Sequence, residues 1–184
     1  MLSNPQIWKK WASRDQTKIG PWAPLPQRPV VTDVVPSSQH QPQTWSYTID
    51  KPANDWTQPT FDASAWKQGP GGFGSRGTPG AVVGTEWKSD DIWIRREFVM
   101  PEGEHPDLQL IVYHDEDVEI YLNGVLAASE SDFVNSYEPM DISNVAMSLL
   151  KPGAKITMAV HCHQTKGGQG VDVGLVDVVE GKKK

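Results

Sequence analysis

The sequence has 184 residues, of which 38% are hydrophobic and 22% charged, so it can bury the core of one domain with an appended segment. Its formal net charge of −6 argues against nucleic-acid binding, which requires clustered Lys and Arg. The single cysteine, Cys162, excludes an internal disulfide framework and a thiolate zinc site.

The first 43 residues have the composition of a linker or a strap. They hold seven of the fifteen prolines, and proline keeps the backbone extended. They contain no apolar signal-peptide core, and no apolar run of the chain reaches the roughly 18 residues of a membrane span. We therefore predict a module excised from a longer protein, with a Pro-rich segment over 1–43 and a domain over 44–180.

From residue 44 onward, alternating apolar and polar side chains predict short strands. The pattern covers 44–49, 92–100, 108–113, 118–122, 156–163 and 171–175. Asn123-Gly124 predicts a type I′ hairpin turn. Phe61–Trp66 predicts one helical turn capped by Asp62, and the seven glycines of 69–84 predict a long ordered loop. Short strands and tight turns together predict an all-β fold, a β-sandwich or jelly roll.

Two catalytic motifs find no support in the sequence. Residues 72–77 match the dinucleotide pattern G-x-G-x-x-G, but Thr78-Pro79-Gly80 follows, where no helix can start. The serine nucleophile pattern G-x-S-x-G does not occur. Glycoside hydrolysis needs only two carboxylates, so the sequence leaves it open.

An acidic stretch lies between two predicted strands. Residues 114–141 contain eight acidic side chains and no Lys or Arg. Three interpretations stay open for its turn: carboxylates that accept backbone N–H bonds, a calcium site that uses Asp115 and Asp117, or contacts of Asp115 and Glu116 with sugar hydroxyls.

His161 and His163 lie two residues apart, so both imidazoles face the same side of a strand. A zinc ion would need a third ligand, for which His114 or Asp172 is a candidate. The alternative is a polar surface in which these histidines, with Gln169, hydrogen-bond to sugar hydroxyls.

Trp87 and Trp93 flank Asp90-Asp91. Trp93 falls on the face of its strand opposite the apolar side chains, and Trp87 falls in a polar loop. Both are candidates for an exposed platform that stacks on sugar rings, with Tyr137 behind them; the alternative is that both belong to the core.

Four spaced motifs resemble a known family. They are WTQPTFDASAWKQGPGGFG (56–74), TEWKSDDIWIRREF (85–98), HDEDVEIYLNG (114–124) and AVHCHQTKGGQGVDVG (159–174). Their order and spacing resemble the galactose-binding-like, sugar-binding domain found in glycoside hydrolase family two and in related bacterial carbohydrate-active proteins.

The resemblance implies a jelly-roll β-sandwich that accompanies a catalytic domain and helps to shape its substrate cleft. It implies that the catalytic acid and nucleophile belong to a separate barrel, so this chain holds no catalytic residue and needs no cofactor beyond a possible structural calcium ion. It also implies a secreted, periplasmic or cell-surface protein, whose partners are an oligo- or polysaccharide and the catalytic domain.

Three functions follow as hypotheses. In the first, the chain is a carbohydrate-binding module in which Trp87 and Trp93 stack on sugar rings, while Asp115, Glu116, His161, His163 and Gln169 orient hydroxyls. In the second, the domain is architectural and docks on a catalytic domain without binding sugar. In the third, it is a small lyase or hydrolase that uses the acidic turn and the histidines.

Overall fold

The computed structural model describes residues 29–179. In this range the chain forms β1 (Val30–Val35), β2 (Thr44–Thr48), β3 (Lys67–Pro70), β4 (Phe73–Gly74), β5 (Thr85–Glu86), β6 (Asp91–Val99), β7 (Leu108–Asp115), β8 (Asp117–Leu122), β9 (Val125–Glu130), β10 (Glu138–Met140), α1 (Asn144–Met147), β11 (Lys155–His163) and β12 (Gly170–Val179). The all-β prediction is confirmed. Within 29–179 no helix has the length and apolar character needed to cross a membrane.

The strands form two sheets. Sheet A has the order β10-β7-β12-β4-β5, and β1 pairs with the far end of β12. Sheet B has the order β3-β2-β6-β11-β8-β9. All pairings are antiparallel except that of β4 with β5. The two sheets face each other and enclose one hydrophobic core, so the fold is a β-sandwich.

The core follows from period-two alternation along the central strands. Ile92 and Ile94 of β6 face the same interior as Met158 of β11, and all three are fully buried. Sheet A contributes Val173 and Leu175 of β12, which are buried to the same extent. Each inward side chain alternates with one that points out of the sandwich, as the sequence predicts.

The outer face of sheet B is partly covered by the chain between β2 and β3. The guanidinium of Arg95 donates to the carbonyl oxygens of Trp56 and Gln58. The Trp56 ring meets Tyr121 of β8 edge to face, with 5.6 Å between ring centroids. An outward-pointing residue on this sheet is therefore not necessarily exposed; Arg95 is only 5% exposed.

The helical turn predicted over Phe61–Trp66 is wrong. The segment is a series of turns: the Asp62 carboxylate accepts the backbone N–H of Ser64, and the N–H of Trp66 reaches the carbonyl of Ala63. Asp62 thus caps a turn rather than a helix. The short helix α1, after β10, was not predicted.

The glycine-rich stretch 69–84 is ordered, as predicted, but it includes β4 and the end of β3. Gly72 shows why glycine is needed there. Its φ is +74°, and a Cβ at this position would lie 2.0 Å from the carbonyl oxygen of Val82. The close approach lets the backbone N–H groups of Gly84 and Thr85 donate to the Gly72 carbonyl, next to the pairing of β4 with β5.

The sandwich starts earlier than the predicted boundary at residue 44. β1 pairs with β12 in register Val30 to Val179, and residues 29–179 form one compact unit. Part of the predicted linker is therefore a strand of sheet A. The rest of that prediction, over 1–28, lies outside the described residues.

Candidate functional site

Trp87 belongs to the core and not to an exposed platform. Its side chain is 2% exposed, and its indole N–H lies 2.9 Å from the Ser89 hydroxyl and 3.2 Å from the Asp91 carbonyl. The loop that holds Trp87 is polar in sequence but folds over the edge of the sandwich, so the indole contacts the core. The exposed position predicted for Trp87 is wrong.

Trp93 does point out of sheet B, as predicted, but it is only 7% exposed. His161 of the neighbouring strand β11 stacks on its ring, with 4.7 Å between centroids and 8° between planes. The indole face that a sugar would need is therefore occupied by an imidazole. The exposed platform predicted from Trp93 is wrong for this reason.

His161 and His163 converge on one carboxylate, that of Asp91. The Asp91 Oδ1 atom lies 2.8 Å from His161 Nε2 and 2.9 Å from His163 Nδ1. Antiparallel pairing places His163 directly opposite Asp91, and this register explains the contact. Partial burial raises the pKa of Asp91, but the hydrogen bonds from both imidazoles outweigh it, and the pKa lies below its ordinary value.

His161 also contacts a second carboxylate. Its Nδ1 atom lies 3.4 Å from Glu119 Oε2 on β8. Each nitrogen of His161 therefore faces a carboxylate oxygen, and the two carboxylates fix the orientation of the ring.

These side chains border an open depression of about 440 Å³ on sheet B. Its lining residues are Asp117, Val118, Glu119, Ser129, Glu130, Ser131, His161 and His163. The predicted residues His161, His163 and Asp117 meet here. The sequence did not point to Asp91 or to the β9 residues. The Asn123-Gly124 hairpin was a signal for the β9 residues, because this turn folds β9 back beside Glu119.

Two other predicted contact residues, Glu116 and Gln169, form hydrogen bonds with other parts of the protein. The Glu116 carboxylate accepts the backbone N–H and the hydroxyl of Thr165. The Gln169 side chain accepts from the Ser75 hydroxyl and donates to the carbonyl of Ser89. Both side chains tie loops together, so the structure brings neither to the depression.

Asp115 and Asp117 lie on different sheets, because the chain passes from β7 of sheet A to β8 of sheet B between them. Asp115 is 8% exposed, and burial, together with the charge of Glu116, raises its pKa. The Asp117 carboxylate accepts the N–H of Asp132. This bond agrees with the interpretation that the acidic turn binds backbone N–H groups.

A metal site finds no support in the described part of the chain. No group of three or more His, Cys, Asp and Glu side chains between residues 29 and 179 could hold an ion. This applies to a zinc site at His161 and His163; the calcium site at Asp115 and Asp117, which would also use backbone carbonyl oxygens, stays a prediction.

A second polar cluster lies on the outer face of sheet A and is covered. Asp172 is 1% exposed; its Oδ2 atom accepts from the backbone N–H of Ser38 at 2.7 Å and from the Tyr137 hydroxyl at 2.9 Å. Tyr137 packs on Tyr113 and not behind Trp93, where it was predicted. Burial raises the pKa of Asp172 to about 6.

Arg96 lies close to this cluster and is held by groups from both sheets. Its guanidinium stacks over the Trp45 ring at 4.6 Å and donates to the carbonyl of Val173 at 3.3 Å. Burial lowers its pKa to about 10, although the charge of Asp172 acts in the opposite direction.

His114 is a buried histidine with one free nitrogen. Its Nδ1 atom lies 2.6 Å from the carbonyl oxygen of Glu116, which can only accept, so Nδ1 carries a hydrogen. Its Nε2 atom is buried and has no hydrogen-bond partner among the described residues; Glu130 Oε2 lies 3.6 Å away. Both residues line a cavity of about 300 Å³.

Comparison with known proteins gives similarity at the level of structure. No protein-family model matches the chain, and no curated protein matches it. A β-glucuronidase from Bacteroides uniformis has a TM-score of 0.51 at 17% identity, over 74% of this chain and 18% of that chain. A glycosyl hydrolase family 2 member from Bacteroides cellulosilyticus has a TM-score of 0.52 at 14% identity, over 75% and 20%.

A β-glucuronidase from Ruminococcus gnavus, in complex with D-glucaro 1,5-lactone, has a TM-score of 0.51 at 14% identity. The match covers 83% of this chain and 30% of that chain. The chain therefore spans less than a third of each of these three enzymes. The galactose-binding jelly-roll type stays a prediction, and the described sandwich shares its fold with a part of these larger glycoside hydrolases.

Proposed function

We propose that the chain is a non-catalytic accessory domain of a larger carbohydrate-active protein and that it binds carbohydrate at the depression on sheet B. The observation that carries the proposal is the polar lining of that depression. Carboxylates of Asp117 and Glu119, the imidazole of His163 and the hydroxyls of Ser129 and Ser131 surround one open surface.

Such a set suits sugar hydroxyls, each of which both donates and accepts hydrogen bonds. Carboxylates accept, imidazole N–H groups donate, and serine hydroxyls do both. His163 is suitable because Asp91 fixes its ring through Nδ1, while 42% of its side chain remains exposed. Since no indole face is open at this surface, hydrogen bonds would dominate, and we expect weak binding, roughly micromolar to millimolar.

The accessory role is supported by the extent of the structural similarity. The sandwich corresponds to 18–30% of the three enzymes described above, whose remaining residues have no counterpart in this chain. We therefore propose a glycoside hydrolase as the parent protein and its catalytic domain as the partner. Following the sequence resemblance, we propose a secreted, periplasmic or cell-surface location.

The test is a screen of the isolated chain on an array of plant, algal and host glycans, followed by titration calorimetry with each hit. Glu119→Gln and His163→Ala should weaken binding at least tenfold while the thermal unfolding temperature stays close to that of the wild type. Glu104→Gln is the matched control, since Glu104 is an exposed carboxylate in the loop after β6, at the other end of that strand from Asp91. Full affinity in both depression variants would reject this surface as the binding site.

The second candidate function is architectural, and the burial of Trp87 and Trp93 favours it, because it removes the predicted stacking platform. In this case the domain would dock on the catalytic domain through an exposed apolar patch. Val30 of β1 and Val179 of β12, which are cross-strand partners on one face of the sheet, form one such patch, with exposures of 60% and 41%. A folded sample that binds no glycan but binds the catalytic domain, and that loses this binding on Val30→Asp, would support docking alone.

A further inference from the structure

We propose that a groove between the edge strands of the two sheets is a second binding site, which holds a neutral sugar ring against Trp66. The groove has a volume of about 360 Å³ and shares no lining residue with the depression on sheet B. The inference goes beyond the proposed function, since it assigns a different surface and a different mode of binding.

The groove lies at the side of the sandwich where both sheets end. β3 is an edge strand of sheet B and β5 an edge strand of sheet A, and they contribute Lys67 and Glu86 to its lining. The two edges are held together beside the groove, because the Thr85 hydroxyl donates to the Pro70 carbonyl at 2.7 Å. A Cβ on Gly69 would lie only 2.7 Å from the Thr85 Oγ1 atom, so glycine permits this close approach. The result is a cleft with fixed walls, of a volume typical of small-molecule sites.

Aromatic and aliphatic side chains line this cleft. Trp66, Tyr47 and Ile49 border it together with the buried Trp87, and Ile49 is 49% exposed. Trp66 is half-buried, and its ring meets Phe61 edge to face with 5.7 Å between centroids, which fixes its orientation. An indole beside an exposed aliphatic side chain suits the apolar C–H face of a pyranose ring. The stacking role predicted for Trp87 thus falls to Trp66, which the sequence did not single out.

The charged groups at the groove balance one another. Two ammonium groups, of Lys67 and Lys88, accompany two carboxylates, of Asp50 and Glu86, and Lys88 lies 3.5 Å from Glu86. Within residues 29–179 neither Lys67 nor Asp50 forms a salt bridge, so one donor and one acceptor are available there to a ligand. A sugar hydroxyl can accept from Lys67 and donate to Asp50. A uronate would be repelled by Asp50 and an amino sugar by Lys67, so the charges favour a neutral sugar.

The groove and the depression differ in what a sugar gains from each. The depression offers hydrogen-bonding groups and an acidic lining, without an open indole face. The groove adds the removal of apolar surface from water, a contribution that salt does not screen. A neutral glycan should therefore bind at Trp66 with an affinity that changes little with ionic strength.

Nuclear magnetic resonance of the indole N–H groups tests the inference in the wild-type protein. The probes are three tetrasaccharides of the same β-1,4 linkage, cellotetraose and the tetramers of glucosamine and glucuronate, at pH 6 in 0.3 M salt, which screens general attraction to an acidic protein. The Trp66 signal is identified as the one missing from Trp66→Phe. We expect this signal to shift with cellotetraose at an affinity at least fivefold higher than with either charged tetramer. A Trp66 signal that cellotetraose leaves unmoved, or an equal response to a charged tetramer, would overturn the inference.

Three variants test the stacking itself by titration calorimetry with cellotetraose. Trp66→Ala should lower the affinity of the groove at least tenfold, whereas Trp66→Phe, which keeps an aromatic face, should stay within about threefold of the wild type. Trp56→Ala is the matched control, since Trp56 is also half-buried between β2 and β3 but packs on Tyr121 of β8 and does not line the groove. Unchanged affinity in Trp66→Ala, or an equal loss in Trp56→Ala, would reject the site. If Trp66→Ala does not fold, the wild-type indole shift decides the question.

The depression variants separate this inference from the proposed function. If Trp66→Ala keeps glycan binding that Glu119→Gln and His163→Ala lose, only the groove is rejected. If Trp66→Ala loses binding that both depression variants keep, the groove stands and the depression is rejected. A folded sample that binds no glycan would reject both.

Discussion

Asp91 and Asp172 are two aspartates on the outer faces of opposite sheets, and their carboxylates have pKa values shifted in opposite directions. The Asp91 side chain is 34% exposed, accepts from two imidazoles and has a lowered pKa. Asp172 is 1% exposed, accepts from Tyr137 and Ser38, and has a pKa raised to about 6. The difference lies in burial, since each carboxylate has at least two hydrogen-bond donors.

The comparison separates a surface that can bind a ligand from one that stabilises the fold. At Asp91 the hydrogen bonds outweigh a small cost of desolvation, so the carboxylate stays charged and orients two histidines beside open solvent. At Asp172 the cost of desolvation exceeds the gain from the hydrogen bonds, and Oδ1 has no partner among the described residues. Asp172 therefore holds the loop at Ser38 and Tyr137 in place but offers nothing to a ligand.

The largest effect is expected from Asp172→Asn. Because the folded pKa of Asp172, about 6, exceeds its ordinary value of 3.8, this residue's contribution to stability is complete below about pH 4 and is lost as the pH rises through about 6. The loss is on the order of 3 kcal/mol. The side chain of the variant cannot ionise. Its free energy of unfolding should therefore rise relative to that of the wild type as the pH increases from 4 to 8.

Urea unfolding at four pH values across this range measures the difference, and Asp33→Asn is the matched control, because Asp33 is exposed on β1. A constant difference between wild type and Asp172→Asn would show that Asp172 does not titrate in this range.

A smaller effect is expected from Tyr137→Phe, which removes one hydrogen bond to Asp172. Hydrogen bonds to charged groups contribute about 1.5–3 kcal/mol, so the variant should lose about 1–2 kcal/mol of stability at pH 8 and less at pH 4, where Asp172 is protonated. Tyr47→Phe is the control, since the Tyr47 hydroxyl makes no hydrogen bond within the described residues and its ring packs on Phe73. Equal losses at both pH values would mean that Tyr137 stabilises the fold only through its ring.

The alternation of side chains was enough to predict the strands that build the core. β2, β6, β7, β8, β11 and β12 each show a period of two in apolar residues, and the structure confirms all six. The positive φ angles of Asn123 and Gly124, 47° and 82°, confirm the expected hairpin turn. β3, β4 and β5 escaped prediction because they are short, rich in Gly and polar residues, and held by backbone pairing.

The candidate site was predicted only in part, because it depends on contacts between distant residues. The sequence shows that His161 and His163 share a face and that Trp93 points away from the core. It does not show the register of β6 against β11, which joins both histidines to Asp91 and stacks His161 on Trp93. Glu130 follows Glu116 by fourteen residues, and the sequence does not show that the β8–β9 hairpin brings Glu130 back beside His114.

The smallest effect is expected from Asp91→Asn. Its dependence on pH should be opposite to that of Asp172→Asn. The lowered pKa of Asp91 means that its contribution to stability is present above the ordinary value of 3.8 and is lost as the pH falls below it. Because a third of the side chain is exposed, screening by solvent reduces this contribution to less than about 1 kcal/mol. The variant should thus be slightly less stable than the wild type at pH 7 and equal to it near pH 3, as measured by urea unfolding.

Asp90→Asn, one residue away and exposed, should match the wild type at both pH values. If Asp91→Asn instead destabilised the protein by several kcal/mol at pH 7, the Asp91 cluster would be as important to folding as the Asp172 cluster, and the distinction between a binding surface and a stabilising one would not hold.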